Sequence, residues 1–475
     1  MDRNRFSEQE ISVSGTAKYQ KSKIATGAHV CAGQFKLPMS MTEIQRFGTS
    51  ASLRRSAQVA FARKDTVGNP AAHPFVTWVL LVGILLPPIQ IIIADVKFTP
   101  GRIVVFLFVL PAIGMLFQKS RRAVPADWFV VATAAWMILA SIFNGGFRLY
   151  VVAEAGEFLF AYLIGRAYFL GRPALECFLG IFKIVACCVV FFALLDTLSG
   201  QQFTLKLFGA PTAAVETVLY RYRFGLVRAG STFEGGELFG TFCVAAAAIF
   251  IFSVRNLPHR IFYAGVCLFG CFLSLSSGPL LGAVLLLGTV TYDFVLRSYK
   301  SRWKALVAGI ALALALCFLI SNHPIQTIIR HLTFDPQTGY FRITQWELSF
   351  EKIAGSPIVG YSFGHMPIRS WQEWVYIGHS IDAVYLVEML RYGIPLVVFL
   401  VLSIYASFFS TVSNSSTDDH MARIRLGFSC AIVIVSIIGL TVHFWNSIWI
   451  FFSLCIGIRA SFVEFEARRR SRPLG

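Results

Sequence analysis

From residue 75 to residue 462, apolar runs of bilayer length alternate with short polar connectors. Twelve runs are readable, at about 75–94, 103–117, 128–143, 151–170, 175–195, 238–254, 261–275, 280–296, 305–320, 383–409, 426–442 and 447–462. A run near 20 residues with few charges predicts a transmembrane helix. Inside hydrocarbon the helix satisfies its own backbone, so irregular structure is disfavoured there. The pattern lacks the alternating ten-residue segments of a membrane barrel. It predicts an all-α, polytopic integral membrane protein of about 12 transmembrane helices. The seventh and eighth runs meet at Ser276-Ser277-Gly278-Pro279, which reads as a tight hairpin. The last two meet at His443-Phe444-Trp445-Asn446, a short turn with interfacial aromatic residues.

Two longer polar islands interrupt the runs, at 197–233 and 321–380. The second separates the ninth run from the tenth and holds His323, His331, His365 and His379. Lys and Arg concentrate in one alternate set of connectors: Lys119, Arg121 and Arg122; Arg172; Arg255 and Arg260; Arg297, Lys300, Arg302 and Lys304; Arg423 and Arg425; and Arg468 to Arg470. The positive-inside bias therefore puts both termini in the cytoplasm and both islands outside, facing the periplasm or the cell exterior. Residues 1–74 read as a basic, mostly disordered cytoplasmic tail without the early apolar core of a cleaved signal peptide. Residues 463–475 read as a basic cytoplasmic C-terminal tail.

Composition agrees with this division. The chain is 56% hydrophobic and 14% charged, against about 25% charged in a soluble protein. A net charge of +17 would suggest nucleic acid in a soluble chain, but here it follows from the basic connectors. Nine of the 10 cysteines fall within apolar runs and none in an island, so no secreted disulfide framework is expected. No His, Cys and carboxylate cluster has metal-ligand spacing. Neither a metal nor another cofactor is expected.

The first island carries Arg221, Arg223 and Arg228 interleaved with aromatic residues, ahead of Gly230 and two hydroxyls. Guanidinium forks bind phosphate oxygens in pairs and keep their charge. The following helix start would favour an anion, although a cationic loop touching lipid headgroups would read the same way. In the second island, the apolar spacing around Arg342 and Trp346 predicts a short amphipathic helix on the membrane surface. His379 and Asp382 lie three apart where the tenth run begins. Desolvation would fit either as a general base. The plainer readings are an interfacial His and a carboxylate stabilised by the helix dipole. Within the runs, Glu154, Glu157, Arg166, Lys183, Glu388 and Arg391 should pair or face a cavity, because an unpaired charge is costly there. Glu157 with Lys183 and Glu388 with Arg391 are the expected pairings.

Three stretches resemble the bacterial O-antigen polymerase and O-antigen ligase superfamily. Arg228-Ala229-Gly230-Ser231-Thr232-Phe233 with Gly236 and Gly240 is similar to its Arg-x-x-Gly-Thr-Phe start of a central span. Arg342, Trp346, Ser356-Pro357, Gly360 and Gly364 resemble its Arg…Trp…Pro-x-x-Gly-x-Gly element. Asp382-Ala383-Val384-Tyr385-Leu386 with Gly393 stands where ligases carry His-Asn-x-Tyr-Leu. Asp382 takes the place of the ligase His, a departure more compatible with polymerases. The resemblance implies a membrane glycosyltransferase that polymerises polyprenyl-diphosphate-linked repeat units of a surface polysaccharide. It implies Arg228, Arg342, Asp382 and His379 as catalytic residues, and Arg221, Arg223, Trp346 and Tyr385 as substrate-binding residues. A flippase and a chain-length regulator are the implied partners. A ligase moving the finished glycan to a lipid acceptor is the nearest alternative, and a transporter or flippase the next.

Overall fold

A computed structural model describes residues 72–89, 91–93, 96–208, 222–321, 336–362, 366–378, 380–409 and 419–470. All of them belong to the second of two compact units, Gly68–Gly475. Residues 1–71 of the expected N-terminal tail, Arg221, His323, His331, His365 and His379 lie outside the described residues.

The unit is mostly helical. In chain order the helices are α1 (Pro74–Leu85), α2 (Pro100–Leu116), α3 (Pro125–Phe143), α4 (Leu149–Tyr168), α5 (Arg172–Ser199), the short α6 (Phe203–Leu207), α7 (Gly236–Ser253), α8 (Leu257–Leu273), α9 (Ser277–Val295) and α10 (Arg302–Ile320). After the second island's α11 (Pro336–Gly355) and the single turn α12 (Trp371–Glu373) come α13 (Val384–Tyr392), α14 (Ile394–Phe408), α15 (Asp419–Ile438) and α16 (Asn446–Arg470). Two small antiparallel hairpins join them, β1 (Ile91–Ile93) with β2 (Val96–Phe98) and β3 (Tyr222–Arg223) with β4 (Leu226–Val227). Six helices, α3, α5, α7, α9, α15 and α16, are long and apolar enough to cross a membrane.

The centre of the bundle is α7, nearly all of it buried, packed between α8 and α15. Phe182, Phe242 and Phe451 from α5, α7 and α16 meet there with ring centroids 5.4–5.9 Å apart. Around this centre, α16 lies along α4, and α4 along α2 and α3. Glycine permits the closest approaches. A Cβ on Gly165 of α4 would meet the Leu454 carbonyl of α16 at 2.6 Å, and one on Gly427 of α15 would meet Ile249 O of α7 at 3.0 Å. Small residues at such crossings give van der Waals contact where lipid removes the hydrophobic drive.

Three expectations are corrected. The first run does not continue to residue 94. Its helix stops at Leu85, before Pro87-Pro88, and the chain turns into the β1–β2 hairpin. The tenth run is not one helix. Gly393, at φ +82°, breaks it into α13 and α14. The charges also pair differently. Glu157 binds Arg102 at 2.7 Å because α4 faces α2, while Lys183 on α5 faces α8 and sits 5.4 Å from the Tyr263 ring. Arg391 reaches Glu154 at 3.3 Å, and Tyr392 donates to the same carboxylate at 2.8 Å, so Glu388 is left with no ion pair among the described residues.

The break in the tenth run exposes backbone groups that a loop of the second island satisfies. Tyr361 N–H donates to Leu390 O at 2.7 Å and Ser362 N–H to Arg391 O at 2.9 Å, while Ile394 N–H donates to Pro357 O at 2.8 Å. Gly360 takes φ +67°, where an added Cβ would stand 2.6 Å from the Arg391 carbonyl carbon. The Ser356-Pro357-x-x-Gly360 sequence therefore caps the break between α13 and α14 with its own backbone groups.

Candidate functional site

The site is assembled around the turn between α8 and α9. Gly236 and Gly240 let α7 seat against this turn, since Cβ atoms there would meet Ser274 O at 2.9 Å and Pro279 Cβ at 2.7 Å. The segment before α7 is then fixed from below by Asp196, near the end of α5. Its Oδ1 accepts from the Thr204 N–H at 3.0 Å and hydroxyl at 2.9 Å, and its Oδ2 accepts from Ser231 N–H at 2.7 Å. Ser231 also donates its hydroxyl to Val189 O at 2.6 Å. These bonds hold Ser231 at φ +53°, a conformation that costs a non-glycine residue about 1–3 kcal/mol. Ala229 N–H completes the path by donating to Leu273 O at 3.1 Å.

The path ends with arginines on both flanks of the turn. Arg223 donates to Leu275 O at 3.1 Å. Arg228 pairs with Glu237, on the first turn of α7, at 3.0 Å. Arg342 arrives from α11 and donates to Ser277 Oγ at 3.4 Å, a long contact. It is 7% exposed, its Nε has no hydrogen-bond partner, and it makes no ion pair among the described residues. Burial lowers its pKa, Asp382 raises it, and the like charges of Arg223 and Arg228 lower it further.

Asp382 is partly buried in the field of the same groups. Desolvation pushes its carboxyl up, against the pull of Arg342 and Arg228 and with the help of Glu237. Its backbone is set by Gln345, one turn beyond Arg342 on α11. Gln345 donates to Tyr376 O at 2.8 Å and Ser380 O at 2.7 Å, and its Oε1 accepts from Asp382 N–H at 3.3 Å. The amide thereby fixes Asp382 relative to Arg342.

The structure thus brings together Arg223, Arg228, Arg342 and Asp382 from the sequence-derived set. Trp346 and Tyr385 point elsewhere, to the C-terminal end of α15 and the residues after it. Trp346 Nε1 donates to Leu440 O at 3.3 Å and the Tyr385 hydroxyl to Ser436 O at 2.9 Å. They support α11 and α13. Sequence reasoning missed Asp196, Ser277 and Gln345. The one available signal was position: a carboxylate at the end of an apolar run, and an amide one helical turn from Arg342.

Among the described residues, three guanidinium groups against two carboxylates leave this cluster net positive, which suits an anion with several oxygens. Among the described residues, no group of three His, Cys, Asp or Glu side chains is placed to hold a metal ion. The chain matches no protein-family model, and it matches no curated protein.

Proposed function

We propose that this chain is a glycosyltransferase of the bacterial inner membrane that polymerises polyprenyl-diphosphate-linked oligosaccharide units on the outer side. The observation that carries the reading is Arg342, a buried arginine without an ion pair among the described residues, beside Arg223 and Arg228. A buried unpaired cation is costly to the empty protein. A bound diphosphate would offset that cost. Breaking the anomeric bond releases the diphosphate, and fixed donors aimed at its developing charge speed that step. Asp382 is the base for the acceptor hydroxyl, with a carboxyl raised towards the working range of a general base. His379 is the other candidate for that role.

In this reading the twelve runs are twelve spans, with α13 and α14 forming the tenth, and both termini are cytoplasmic. The lipid tail lies among the apolar helices and only the head reaches the arginines. The large outer island lies between the ninth and tenth spans. A flippase supplies the units and a chain-length regulator acts beside the enzyme. The ligase alternative uses the same donor and differs in the acceptor. A transporter is favoured by one observation, the broken tenth run with Glu154, Glu388 and Arg391 around it, since transporters bind substrates at broken helices.

The test is a gene deletion complemented by wild type or Arg342→Ala at matched membrane expression, with surface polysaccharide run on a gel. Single lipid-linked units that fail to elongate support the polymerase. Long chains left on the carrier lipid indicate the ligase, and units that never become accessible outside indicate the transporter. Full elongation with Arg342→Ala would remove this site from the reaction.

A further inference from the structure

Two tryptophans stand out on the second island, outside the arginine site. Trp371, on α12, is 73% exposed, and Trp374, at the start of the π-type turn that follows, is 43% exposed. Their rings stack with centroids 4.7 Å apart and planes 21° apart. The outer face of this stack is a broad, flat aromatic surface.

The segment that carries it is held firmly. Lys352 of α11 binds Glu373 at 2.7 Å and also donates to Pro367 O at 2.7 Å, with both side chains of the ion pair largely buried. The Lys352 hydrogen bond pulls the Glu373 carboxyl below its ordinary value. Glu373 in turn accepts from Arg369 N–H at 2.6 Å, and Ser370 Oγ accepts from Glu373 N–H at 3.2 Å. At its far end the segment hangs on Gln345 through Tyr376 O and Ser380 O. The same amide, one turn from Arg342 on α11, also accepts from Asp382 N–H, so the stack and the anion site share one support.

We infer that the Trp371–Trp374 stack is a docking platform for the neutral sugar rings of a glycan whose charged end occupies the arginine site. This rests on the glycosyltransferase reading. A pyranose presents a face of C–H groups made electron-poor by neighbouring oxygens. That face complements the negative π-face of an indole. Rigid mounting limits the ordering cost of binding. Arg369 and Gln372, near Trp371 in the chain, are exposed and can offer partners to sugar hydroxyls. A tryptophan that served only to anchor in the headgroup layer would need neither the buried ion pair nor the tie to Gln345.

The experiment uses the full chain in lipid nanodiscs, probed with a printed array of neutral bacterial oligosaccharides that carry no lipid diphosphate. Wild type should bind a subset of them. Trp371→Ala should weaken binding tenfold or more, and Trp371→Phe should recover much of it. Trp371 is at the surface, so its loss leaves the fold intact. No array binding, or equal binding by Trp371→Ala, would overturn the platform. So would emission from Trp371, isolated by difference against Trp371→Ala, that brominated phospholipid quenches. Failure of the polymerase reading is seen separately, as elongation that survives deletion of the gene.

Discussion

Arg342 separates stability from function. Its guanidinium is buried against Ser277 and makes no ion pair among the described residues, with Asp382 and Glu237 acting on it only from beyond ion-pair distance. Replacing a buried, unpaired charge with an apolar side chain of similar volume should be neutral or stabilising. Arg342→Met should therefore keep or raise the thermal midpoint in detergent, while elongation falls about 10²–10³-fold, the loss typical of one transition-state donor. Arg342→Lys keeps the charge, loses the fork, and should recover only part of the activity. Asp382 predicts a pH dependence. Its carboxyl is raised by desolvation, so the base form is lost at a higher pH than for an ordinary aspartate. The acid limb of the elongation rate should be displaced upward, and Asp382→Asn should abolish it. Stability runs in the opposite sense. A pKa raised by folding contributes fully below the ordinary carboxylate range, and that contribution is lost as pH rises through the raised value. The thermal midpoint of wild type should fall relative to Asp382→Asn over that rise.

At the scale of elements, the broken tenth run depends on two glycines. Gly393 and Gly360 both take positive φ, and each packs against backbone of the other's segment. Gly393→Ala should destabilise the protein by at least about 1–3 kcal/mol, from the conformation alone, read as a lower midpoint and a smaller folded fraction on size exclusion. The α2–α4 contact offers a second test. Arg102 and Glu157 pair at 2.7 Å with side chains only 9% and 2% exposed. Glu157→Leu leaves Arg102 buried without its partner and should cost about 3–5 kcal/mol. A merely decorative surface pair would lose almost nothing.

For the whole molecule, the arrangement of sides is the main prediction. Single cysteines introduced into a cysteine-free background at Ser370 and at Lys300 should label from opposite sides of the membrane. An impermeant maleimide added to intact spheroplasts should modify Ser370→Cys alone. Labelling of both, or of Lys300→Cys only, would overturn the orientation read from the basic connectors. The background itself should fold, because the nine described cysteines are all free and form no disulfide.

Hydrophobic run length is a local property, and the sequence alone therefore located the helical stretches and the two polar islands. It also singled out Arg223, Arg228, Arg342 and Asp382, because charge and glycine at the edge of an apolar run stand out without knowledge of the fold. Pairing was not legible in the same way. Which carboxylate meets Arg102 or Arg391 depends on which helices are neighbours, and apolar runs carry little information about neighbours. The break at Gly393 was hidden because the stretches on both sides are apolar enough to merge into one run, and the loop at Pro357–Ser362 supplies the groups that make a break tolerable. Gln345 and Asp196 acquired their roles in the same manner. Each is an unremarkable polar residue in the chain, and each becomes a fixed point when segments far apart in sequence bring their backbone N–H groups or carbonyls to its side chain.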